Sequence, residues 1–351
     1  MEAHTQIRMK LVMITRKVDF RDALAGFAHG WVHTLAQQLD HLWVVTWQPS
    51  SSDGLPSNVT VISLTGSVFA KSTQLHRQLA KLMPQADGIF CHMNPEYTIL
   101  PPSVAQWYKR KIVSWYTHKT VSWRRRLMEL FADRIVTASG ESFRKPWFPR
   151  KVIVIGHGID TELFCPAARK ENDEIFRVLT VCRLSPSKHY EQMIEAVARL
   201  ADRSVRLDIV GDVGLSSQRA YADHLKKIVT ESDARDHVWF HGWVPHTETV
   251  ALYQQADLFL NLSETGSLDK AVLEAMACGC NVLTSNEAFR DILPSDMILK
   301  SNDPKECASA IRRIQGLSAE ERTRRGQELR RIVIEDHGLA RCMRRVVEQF
   351  C

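Results

Sequence analysis

Residues 256–279, ADLFLNLSETGSLDKAVLEAMACG, decide the fold of the second half of this chain. The first seven residues are mostly apolar, which is typical of a buried parallel strand. A glycine-bearing loop follows, and residues 271–277 predict a helix that ends before Gly279. This unit directs unpaired backbone N–H groups and the positive end of a helix dipole toward the edge of a sheet, where a phosphate or a sugar hydroxyl would bind. An ordinary surface βα unit has the same pattern.

Segments with the periodicity of strands and of helices alternate along the whole chain. The predicted strands are residues 10–15, 42–47, 59–64, 88–92, 112–116, 134–137, 152–155, 177–181, 206–210, 238–240, 257–261 and 281–284. The predicted helices are residues 25–39, 72–82, 123–131, 190–201, 219–231, 246–255, 270–277, 319–331 and 337–350. This alternation predicts an α/β protein with two doubly wound, mostly parallel sheets.

The polar, aperiodic segment at residues 165–173 is interpreted as a linker between two domains. The predicted domains are therefore residues 1–166 and 167–335. Residues 337–350 have an amphipathic pattern, with Leu339, Met343, Val346, Val347 and Phe350 on one stripe. This last segment, 336–351, is predicted to cross back to the first domain, although a simple helix of the second domain remains an alternative.

Composition and cysteine usage limit the class of protein. With 351 residues, 44% hydrophobic and 25% charged, the chain has room for two soluble domains. No apolar run reaches the roughly 18 residues that span a bilayer, and no secretion signal opens the chain. Eight cysteines are scattered without a paired C-x-x-C motif, and we interpret them as core or incidental residues. These features predict a cytoplasmic protein.

Basic residues are concentrated in the first half of the chain. Residues 1–166 contain 20 lysines and arginines against 12 acids, a balance of +8, and the rest contains 26 against 28, a balance of −2. Clusters at 109–111 and 124–126 contribute to the excess, although each is also typical of a solvated helix face. The asymmetry predicts an anionic partner such as a membrane surface, whereas the absence of an interleaved aromatic platform disfavours nucleic acid.

A loop between a predicted strand and a predicted helix carries two cations, Arg183 and Lys188. Since parallel strands end at the same sheet edge, this loop is expected beside the loop at 263–274, and the glycine-bearing turn at 210–214 belongs to that edge too. A guanidinium fork and a point charge suit a diphosphate held without a metal, although single loop cations are commonly only solvated. Glu274, in the following helix, is suited to accept hydrogen bonds from a diol.

In order and spacing, these segments resemble the retaining glycosyltransferases of family 4. The resembling segments are residues 152–164, 178–188, 206–212, 238–244, 256–263 and 272–279, which cover nearly all of the second half. The first half resembles the family mainly in its strand order, in the N-terminal glycine Gly26, and in His118 after a predicted strand. The resemblance implies the GT-B architecture, in which two Rossmann-like domains face each other across a nucleotide-sugar cleft.

The resemblance implies transfer of a sugar, with retention of anomeric configuration, from a nucleotide-sugar donor to a glycan or lipid-linked acceptor. The lack of an Asp-x-Asp motif after a strand end, together with the cations Arg183 and Lys188, predicts that no metal and no other cofactor is needed. The basic first half predicts an anionic lipid-linked or lipopolysaccharide-type acceptor in cell-surface polysaccharide or lipopolysaccharide assembly, with peripheral contact with the inner membrane face. Three residues are implied in catalysis: His118, Arg183 and Lys188. Glu274 is implied to hold the ribose, and Trp243 and Val244 are implied to lie near the base. A lone histidine such as His118 is also commonly structural.

One position departs from the family pattern. The first of the family's two glutamates falls on Gly266, whereas the second is kept as Glu274, and Glu264 is two residues too early to replace the first. Binding of the donor sugar and diphosphate is then assigned to the loop itself, through Gly266, Ser267, Leu268, Asp269 and Lys270. A catalytically weak nucleotide-sugar-binding protein therefore remains an alternative.

Two other enzymes of the same architecture are further alternatives. A nucleotide-sugar epimerase would need an acid–base carboxylate pair in the cleft, and the sequence offers no such pair. A phosphorylase would need a pyridoxal-phosphate lysine in a longer chain.

Overall fold

The alternating segments form two separate parallel sheets in a computed structural model of the chain. The structure describes residues 9–19, 26–167, 175–213, 219–264 and 266–351. The chain divides into two compact units: unit 1 is Met1–Gly158 with His337–Cys351, and unit 2 is Ile159–Asp336. From position 168 onward the predicted linker lies outside the described residues, as does Gly214 of the predicted glycine-bearing turn.

The described part of unit 1 contains a seven-stranded sheet. Its strands are β1 (Lys10–Thr15), β2 (His41–Thr46), β3 (Val59–Ser63), β4 (Gly88–His92), β5 (Lys111–Trp115), β6 (Arg134–Thr137) and β7 (Val152–Val154). The order is β3-β2-β1-β4-β5-β6-β7, and all neighbours are parallel. Strand order reverses between β1 and β4, the topological switch point of this doubly wound sheet.

The first helices of the chain cover the unit 1 sheet. They are α1 (Gly26–Ala36), α2 (Val68–Leu82), α3 (Glu96–Ile99), α4 (Pro102–Trp107) and α5 (Trp123–Phe131). Helix α2 begins four residues before its predicted start because the Ser67 hydroxyl accepts a hydrogen bond from the Ala70 N–H and caps the helix. The short helices α3 and α4 were not predicted, since neither is long enough to show helical periodicity.

The described part of unit 2 contains a five-stranded parallel sheet. Its strands are β8 (Phe176–Val181), β9 (Val205–Val210), β10 (Val238–Gly242), β11 (Leu258–Asn261) and β12 (Asn281–Thr284). The order is β10-β9-β8-β11-β12, so the switch point lies between β8 and β11. Every residue of β11 and β12 is buried, as expected for parallel strands covered on both faces. The prediction of two doubly wound parallel sheets is confirmed.

The remaining helices follow in chain order. They are α6 (Tyr190–Leu200), α7 (Arg219–Glu231), α8 (Thr249–Gln255), α9 (Lys270–Ala277), α10 (Pro304–Gln315), α11 (Ala319–Ile332) and α12 (Leu339–Val347). Helix α8 begins at Thr249, so the predicted start at 246 was wrong, and α10 was not predicted. Helix α12 belongs to unit 1, where Gln38 Nε2 donates to the Ala340 carbonyl at 3.1 Å. The apolar stripe predicted for this helix is buried.

Candidate functional site

The loops that follow β8 and β11 meet at the switch point of the unit 2 sheet. After β8 the chain forms a single 3-10 turn, Pro186–Lys188, and enters α6 through His189 in a left-handed conformation. The turn directs Lys188 toward the loop after β11, where its Nζ donates to Ser263 Oγ at 2.8 Å and to Asp269 Oδ1 at 3.1 Å. Residues 75 and 81 positions apart in the sequence are thus joined at one ammonium group.

Asp269 is fixed through both of its carboxylate oxygens. Oδ1 accepts from Lys188, and Oδ2 accepts from Asn261 Nδ2 at 3.2 Å and from Asn286 Nδ2 at 3.3 Å. The Asn261 side chain is itself oriented by the Thr284 hydroxyl, which donates to its Oδ1 at 2.8 Å. The loop after β12 therefore completes a polar network at the carboxyl edge of three adjacent strands, and this network holds Asp269 and Lys188 in place.

The Lys188 side chain is mostly buried but keeps some exposure to solvent. The Lys188 and Asp269 side chains are 12% and 17% exposed. Burial by itself lowers the pKa of Lys188, but Cys182 and the Asp269 carboxylate outweigh it and hold that pKa above its ordinary value. Lys188 is consequently a permanent cation at neutral pH. A cation that is oriented by its neighbours and not completely buried is suited to receive a phosphate oxygen.

Glu274 lies one turn inside α9 and is almost completely buried. Its Oε1 accepts from His246 Nε2 at 2.7 Å and lies 3.4 Å from Lys270 Nζ, and its Oε2 accepts from the Tyr253 hydroxyl at 3.2 Å. Burial raises the pKa of Glu274, but the Lys270 ammonium and the His246 hydrogen bond outweigh it, so the net shift is downward. The carboxylate is therefore ionised and already hydrogen-bonded before any ligand binds.

Two glycines shape the loops around the Lys188 network. Gly211, after β9, has a φ of 137°, and a Cβ placed on it would lie 1.9 Å from the Cys182 carbonyl oxygen, so only glycine fits between the two loops. Gly266 is buried and has a φ of 62°. A glutamate at position 266 would adopt this left-handed conformation at a cost of about 1–2 kcal/mol. The backbone of this loop is thus built for glycine.

The other predicted members of the donor loop have different environments. The Ser267 carbonyl accepts from Asn286 Nδ2 at 2.8 Å, and the Leu268 side chain is buried. Glu264 lies outside the Lys188 network, because its carboxylate is 3.1 Å from His189 Nε2 and accepts from Asn302 Nδ2 at 3.1 Å. Glu264 therefore does not supply the carboxylate that is missing at Gly266.

Not every predicted site residue joins the network. The Arg183 side chain is exposed and makes no hydrogen bond or ion pair to another described residue. Trp243 is exposed and Val244 partly buried just after β10, which ends at Gly242 with a φ of 70°. The structure thus brings Lys188, Asp269, Ser267 and Glu274 to one edge and leaves the Arg183 and Trp243 side chains open to solvent.

The two predicted site residues of the first half lie in unit 1. His118 follows β5 and is exposed, with its ring packed edge-on against Tyr116 at 5.3 Å between centroids. Gly26 is the first residue of α1, and the residues that precede it, 20–25, lie outside the described ranges.

Sequence reasoning missed several partners of the predicted site residues: Asn261, Ser263 and Asn286 around Lys188 and Asp269, and His246 and Tyr253 around Glu274. Ser263 and Asn286 each come two residues after a strand, and Asn261 ends one, so the rule that functional side chains follow strand ends would have selected them. His246 and Tyr253 carried no such signal, because they reach Glu274 from the segment before α8 and from α8 itself.

Within the described residues, no helix is both long enough and apolar enough to cross a bilayer. In those ranges, no three histidine, cysteine, aspartate or glutamate side chains converge in a group that could hold a metal ion.

The two sheets define the class of fold. The GT-B fold consists of two parallel-sheet Rossmann-like units, as found here. The crystal structure of Anabaena HepE in complex with UDP superposes on this chain with a TM-score of 0.76. That similarity covers 97% of this chain and 99% of the other at 17% sequence identity, so it establishes the fold alone. The predicted α/β fold of the GT-B type is confirmed.

The sequence of unit 2 matches a family of proteins. Residues 165–331 match the profile of the family described as Glycosyl transferases group 1. The chain is 29% identical over 167 residues to a subunit of the phosphatidylinositol N-acetylglucosaminyltransferase of Arabidopsis thaliana, covering 46% of this chain and 36% of that protein. It is 30% identical over 213 residues to a D-inositol 3-phosphate glycosyltransferase of Salinispora tropica, covering 52% and 44%. The chain thus spans less than half the length of these curated relatives.

Proposed function

We propose that this chain is a retaining glycosyltransferase of family 4 that moves a sugar from a nucleotide-sugar donor to a glycan or lipid-linked acceptor. One observation carries the proposal: the Lys188 ammonium is held by Ser263 and Asp269 at the point where the unit 2 sheet reverses its strand order. Doubly wound sheets bind their ligands in the crevice at this point. The match of residues 165–331 to Glycosyl transferases group 1 supports a nucleotide-sugar as the ligand.

In the proposed reaction, the bond between the anomeric carbon and the diphosphate oxygen breaks, and the nucleoside diphosphate leaves with the bonding electrons. The acceptor hydroxyl forms the new glycosidic bond and transfers its proton to the leaving diphosphate oxygen. Negative charge grows on the leaving diphosphate, so a cation beside it stabilises the transition state more than the ground state. Lys188 would supply that cation, and the exposed Arg183 side chain, in the same loop, would add a second with its planar donors.

Donor binding would exchange one partner of Lys188 for another. In the structure Asp269 neutralises the ammonium, and a bound diphosphate would take over that role. Asn261 and Asn286 would keep Asp269 in place during the exchange, since both donate to its other oxygen. The Ser263 hydroxyl would keep Lys188 oriented. Two positive side chains also replace the metal ion that would otherwise balance the diphosphate, so we propose that the reaction needs no metal and no other cofactor.

The remaining donor contacts are proposed from the resemblance. Glu274 would hold the ribose hydroxyls, and Trp243 with Val244 would lie near the base. The backbone from Gly266 to Lys270 would bind the sugar and the phosphates at the start of α9. His118 would contact the donor sugar from unit 1.

The acceptor is proposed to be anionic, because residues 1–166 carry an excess of eight positive charges, 20 against 12. The two relatives are named for phosphatidylinositol and inositol 3-phosphate, which are phosphate-bearing molecules and accord with this charge. We further propose a cytoplasmic protein that contacts the inner membrane face and acts in cell-surface polysaccharide or lipopolysaccharide assembly. Binding of nucleic acid is not proposed.

A second candidate function is binding of a nucleotide-sugar with little or no transfer. The left-handed conformation of Gly266 favours this candidate, because the loop lacks the family's first carboxylate and has a backbone that disfavours one.

Incubation of the purified chain with a panel of UDP-, GDP- and ADP-sugars separates the two functions. Slow hydrolysis of one donor, absent in a Lys188→Ala variant, is expected of a transferase. Binding of a donor by calorimetry without any hydrolysis or transfer would support the binding protein instead. Failure of every nucleotide-sugar and nucleoside diphosphate to bind would contradict both.

A further inference from the structure

Unit 1 exposes large apolar side chains on one face of α5 and on the segment that packs against it. Trp123 and Leu130, seven residues apart and so on the same side of the helix, are 68% and 53% exposed. Trp147, in the segment after β6, is 62% exposed, and the neighbouring Phe148 is 37% exposed. We refer to Trp123, Leu130, Trp147 and Phe148 as the aromatic surface.

Charged side chains of α5 and of the segment after β6 hold this surface together. Glu129 is completely buried, and one of its carboxylate oxygens accepts a hydrogen bond from the Trp147 backbone N–H. Arg126 donates to the other oxygen at 2.9 Å, and its guanidinium lies 4.7 Å from the centre of the Trp147 ring. Lys151 donates to the carbonyls of Glu129, Leu130 and Ala132 and lies over the Phe148 ring. The segment 145–151 is therefore fixed to α5.

The three consecutive arginines at 124–126 do not form the solvated helix face that is one interpretation of their sequence. Arg125 is completely buried, lies 3.3 Å from the Glu129 carboxylate, and donates to the Arg144 carbonyl. Arg126 is mostly buried between Glu129 and Trp147. Burying ionic groups in this way costs free energy, and replacing a buried ion pair with apolar side chains often leaves the stability of a protein unchanged. Here the charges fix the position of exposed aromatic rings.

Cations surround the aromatic surface. Lys145 and Arg150 flank Trp147 and Phe148 in the sequence KPWFPR at 145–150, which contains no acid, and both are exposed. Arg124 lies beside Trp123, with its guanidinium 5.4 Å from the ring centre, and is paired with Glu96 at 3.1 Å. Lys145 has a φ of 49°, an unfavourable left-handed conformation, and its carbonyl accepts from Arg126 at 2.9 Å.

We propose that the aromatic surface docks unit 1 onto a bilayer that contains anionic headgroups. Tryptophan and phenylalanine rings are favoured at the boundary between headgroups and acyl chains, where an apolar body and a polar environment meet. Exposed cations at the rim contact the lipid phosphates, which matches the positive charge around the rings. This inference rests on the membrane contact proposed above and names the surface that makes it. It does not depend on the proposed sugar transfer, because its residues are separate from every residue assigned to the donor.

Sedimentation with vesicles tests the proposal. The wild-type chain is expected to bind vesicles of phosphatidylcholine mixed with phosphatidylglycerol at low ionic strength, and to bind pure phosphatidylcholine vesicles much less. The double variant Trp123→Ala, Trp147→Ala is expected to bind the mixed vesicles at least about tenfold more weakly. A Lys145→Ala, Arg150→Ala variant should lose most of the preference for anionic lipid and the sensitivity to salt.

Trp107→Ala is the matched control, because Trp107 is 81% exposed but lies on α4 outside the aromatic surface. This control should bind vesicles as the wild type does. All variants should keep the wild-type melting temperature and the full stabilisation by nucleoside diphosphate, which separates this test from that of the proposed function. Equal binding by the double variant and the control, or no binding of the wild type to mixed vesicles at low salt, would overturn the proposal. Retention on a soluble protein partner without vesicle binding would overturn it as well.

Discussion

Both units have a switch point, where the strand order of the sheet reverses, but the side chains at the two switch points differ in chemistry. In unit 1 the ends of β1 and β4 carry Thr15 and His92, which are buried and joined by a 3.0 Å hydrogen bond. The His92 ring packs on Trp31, and Trp31 packs on Trp115. In unit 2 the ends of β8 and β11 lead to the Lys188 and Asp269 ion pair, which is partly open to solvent.

The difference shows that topology alone does not make a binding site. Both sheets offer the same crevice, but the described residues of unit 1 close it with an aromatic cluster, whereas unit 2 places an accessible cation there. A negatively charged ligand would be stabilised by the cation of unit 2 but would find no such charge in the aromatic cluster of unit 1. Substitutions at the two switch points should therefore separate stability from ligand binding.

The largest effect is expected from Trp115→Ala in unit 1. Trp115 is only 2% exposed, and its removal leaves a cavity beside Trp31, so the free energy of unfolding should fall by about 3–5 kcal/mol. Denaturation in urea measures this loss. Stabilisation by nucleoside diphosphate should persist in the folded variant, because the proposed donor residues around Lys188 lie in unit 2. Loss of nucleotide binding by a variant that still folds would show that the crevice of unit 1 takes part in the site.

The second effect is that of Lys188→Ala, which should lower kcat/KM by about a hundredfold or more, through kcat as well as KM. A charge-assisted contact to phosphate contributes about 1.5–3 kcal/mol to binding, so stabilisation by nucleoside diphosphate should shrink sharply. The melting temperature without ligand should change little, since Asn261 and Asn286 still hold Asp269.

Lys227→Ala is the matched control for this variant, because Lys227 is a 70% exposed lysine of the same unit, paired with Glu231 across one helical turn. It should keep wild-type activity and nucleotide binding. Full activity and full nucleotide stabilisation in Lys188→Ala would place the diphosphate elsewhere and remove the basis of the proposed function.

A smaller effect is expected from Glu274→Gln, about fivefold to tenfold in the Kd of the nucleotide, with less change in the chemical step. Ribose contacts change little along the reaction, so kcat should fall less than in Lys188→Ala. Calorimetry and steady-state kinetics on the same preparation measure the two quantities. A kcat loss as large as that of Lys188→Ala would give Glu274 a direct role in the chemistry.

The pH dependence of stability should distinguish the wild type from the Glu274→Gln variant. The pKa of Glu274 in the folded chain lies below its ordinary value, so its contribution to stability is present at neutral pH and is lost as the pH falls through the folded-state pKa. The difference in unfolding free energy between the wild type and Glu274→Gln should therefore shrink on acidification. A difference that grew on acidification would contradict the ionised state assigned to Glu274.

The smallest effect is expected from metal removal. If Lys188 and Arg183 balance the diphosphate, treatment with EDTA should leave the initial rate of donor hydrolysis unchanged, and added Mg²⁺ or Mn²⁺ should not raise it. A complete loss of activity restored by either ion would contradict the role assigned to the two cations.

Much of the fold followed from local patterns. Strands such as β1, β4, β6 and β12 and helices such as α5, α7 and α9 have the predicted bounds, because alternation, apolar runs and caps are encoded in neighbouring residues. Helices α3, α4 and α10 were missed, and α8 begins later than predicted. Short helices that start at a proline, as α4 does, show too few turns for a period to be visible.

The candidate site was predicted in part. Lys188 was selected from its place after a strand, and Asp269 and Glu274 from the following loop and helix and from the family resemblance. Their partners were not selected, and Arg183 was treated as the equal of Lys188. The structure separates these two cations, since Lys188 is held by two hydrogen bonds and Arg183 has an exposed side chain. Hydrogen bonds between residues 75 or 81 positions apart depend on which strands are neighbours, and periodicity does not encode strand order.

The sequence by itself determined the alternation of strands and helices, the glycine-bearing loops at the strand ends, and the uneven distribution of charge, because each depends on residues close together in the chain. Only the tertiary structure determined which charged side chains are exposed enough to contact a ligand. It buried Arg125 completely against Glu129 inside unit 1 and left Lys188 partly exposed beside Asp269 in unit 2. The reason is that the burial of an ion depends on the whole set of partners and packed atoms around it, and the fold supplies these from distant parts of the chain.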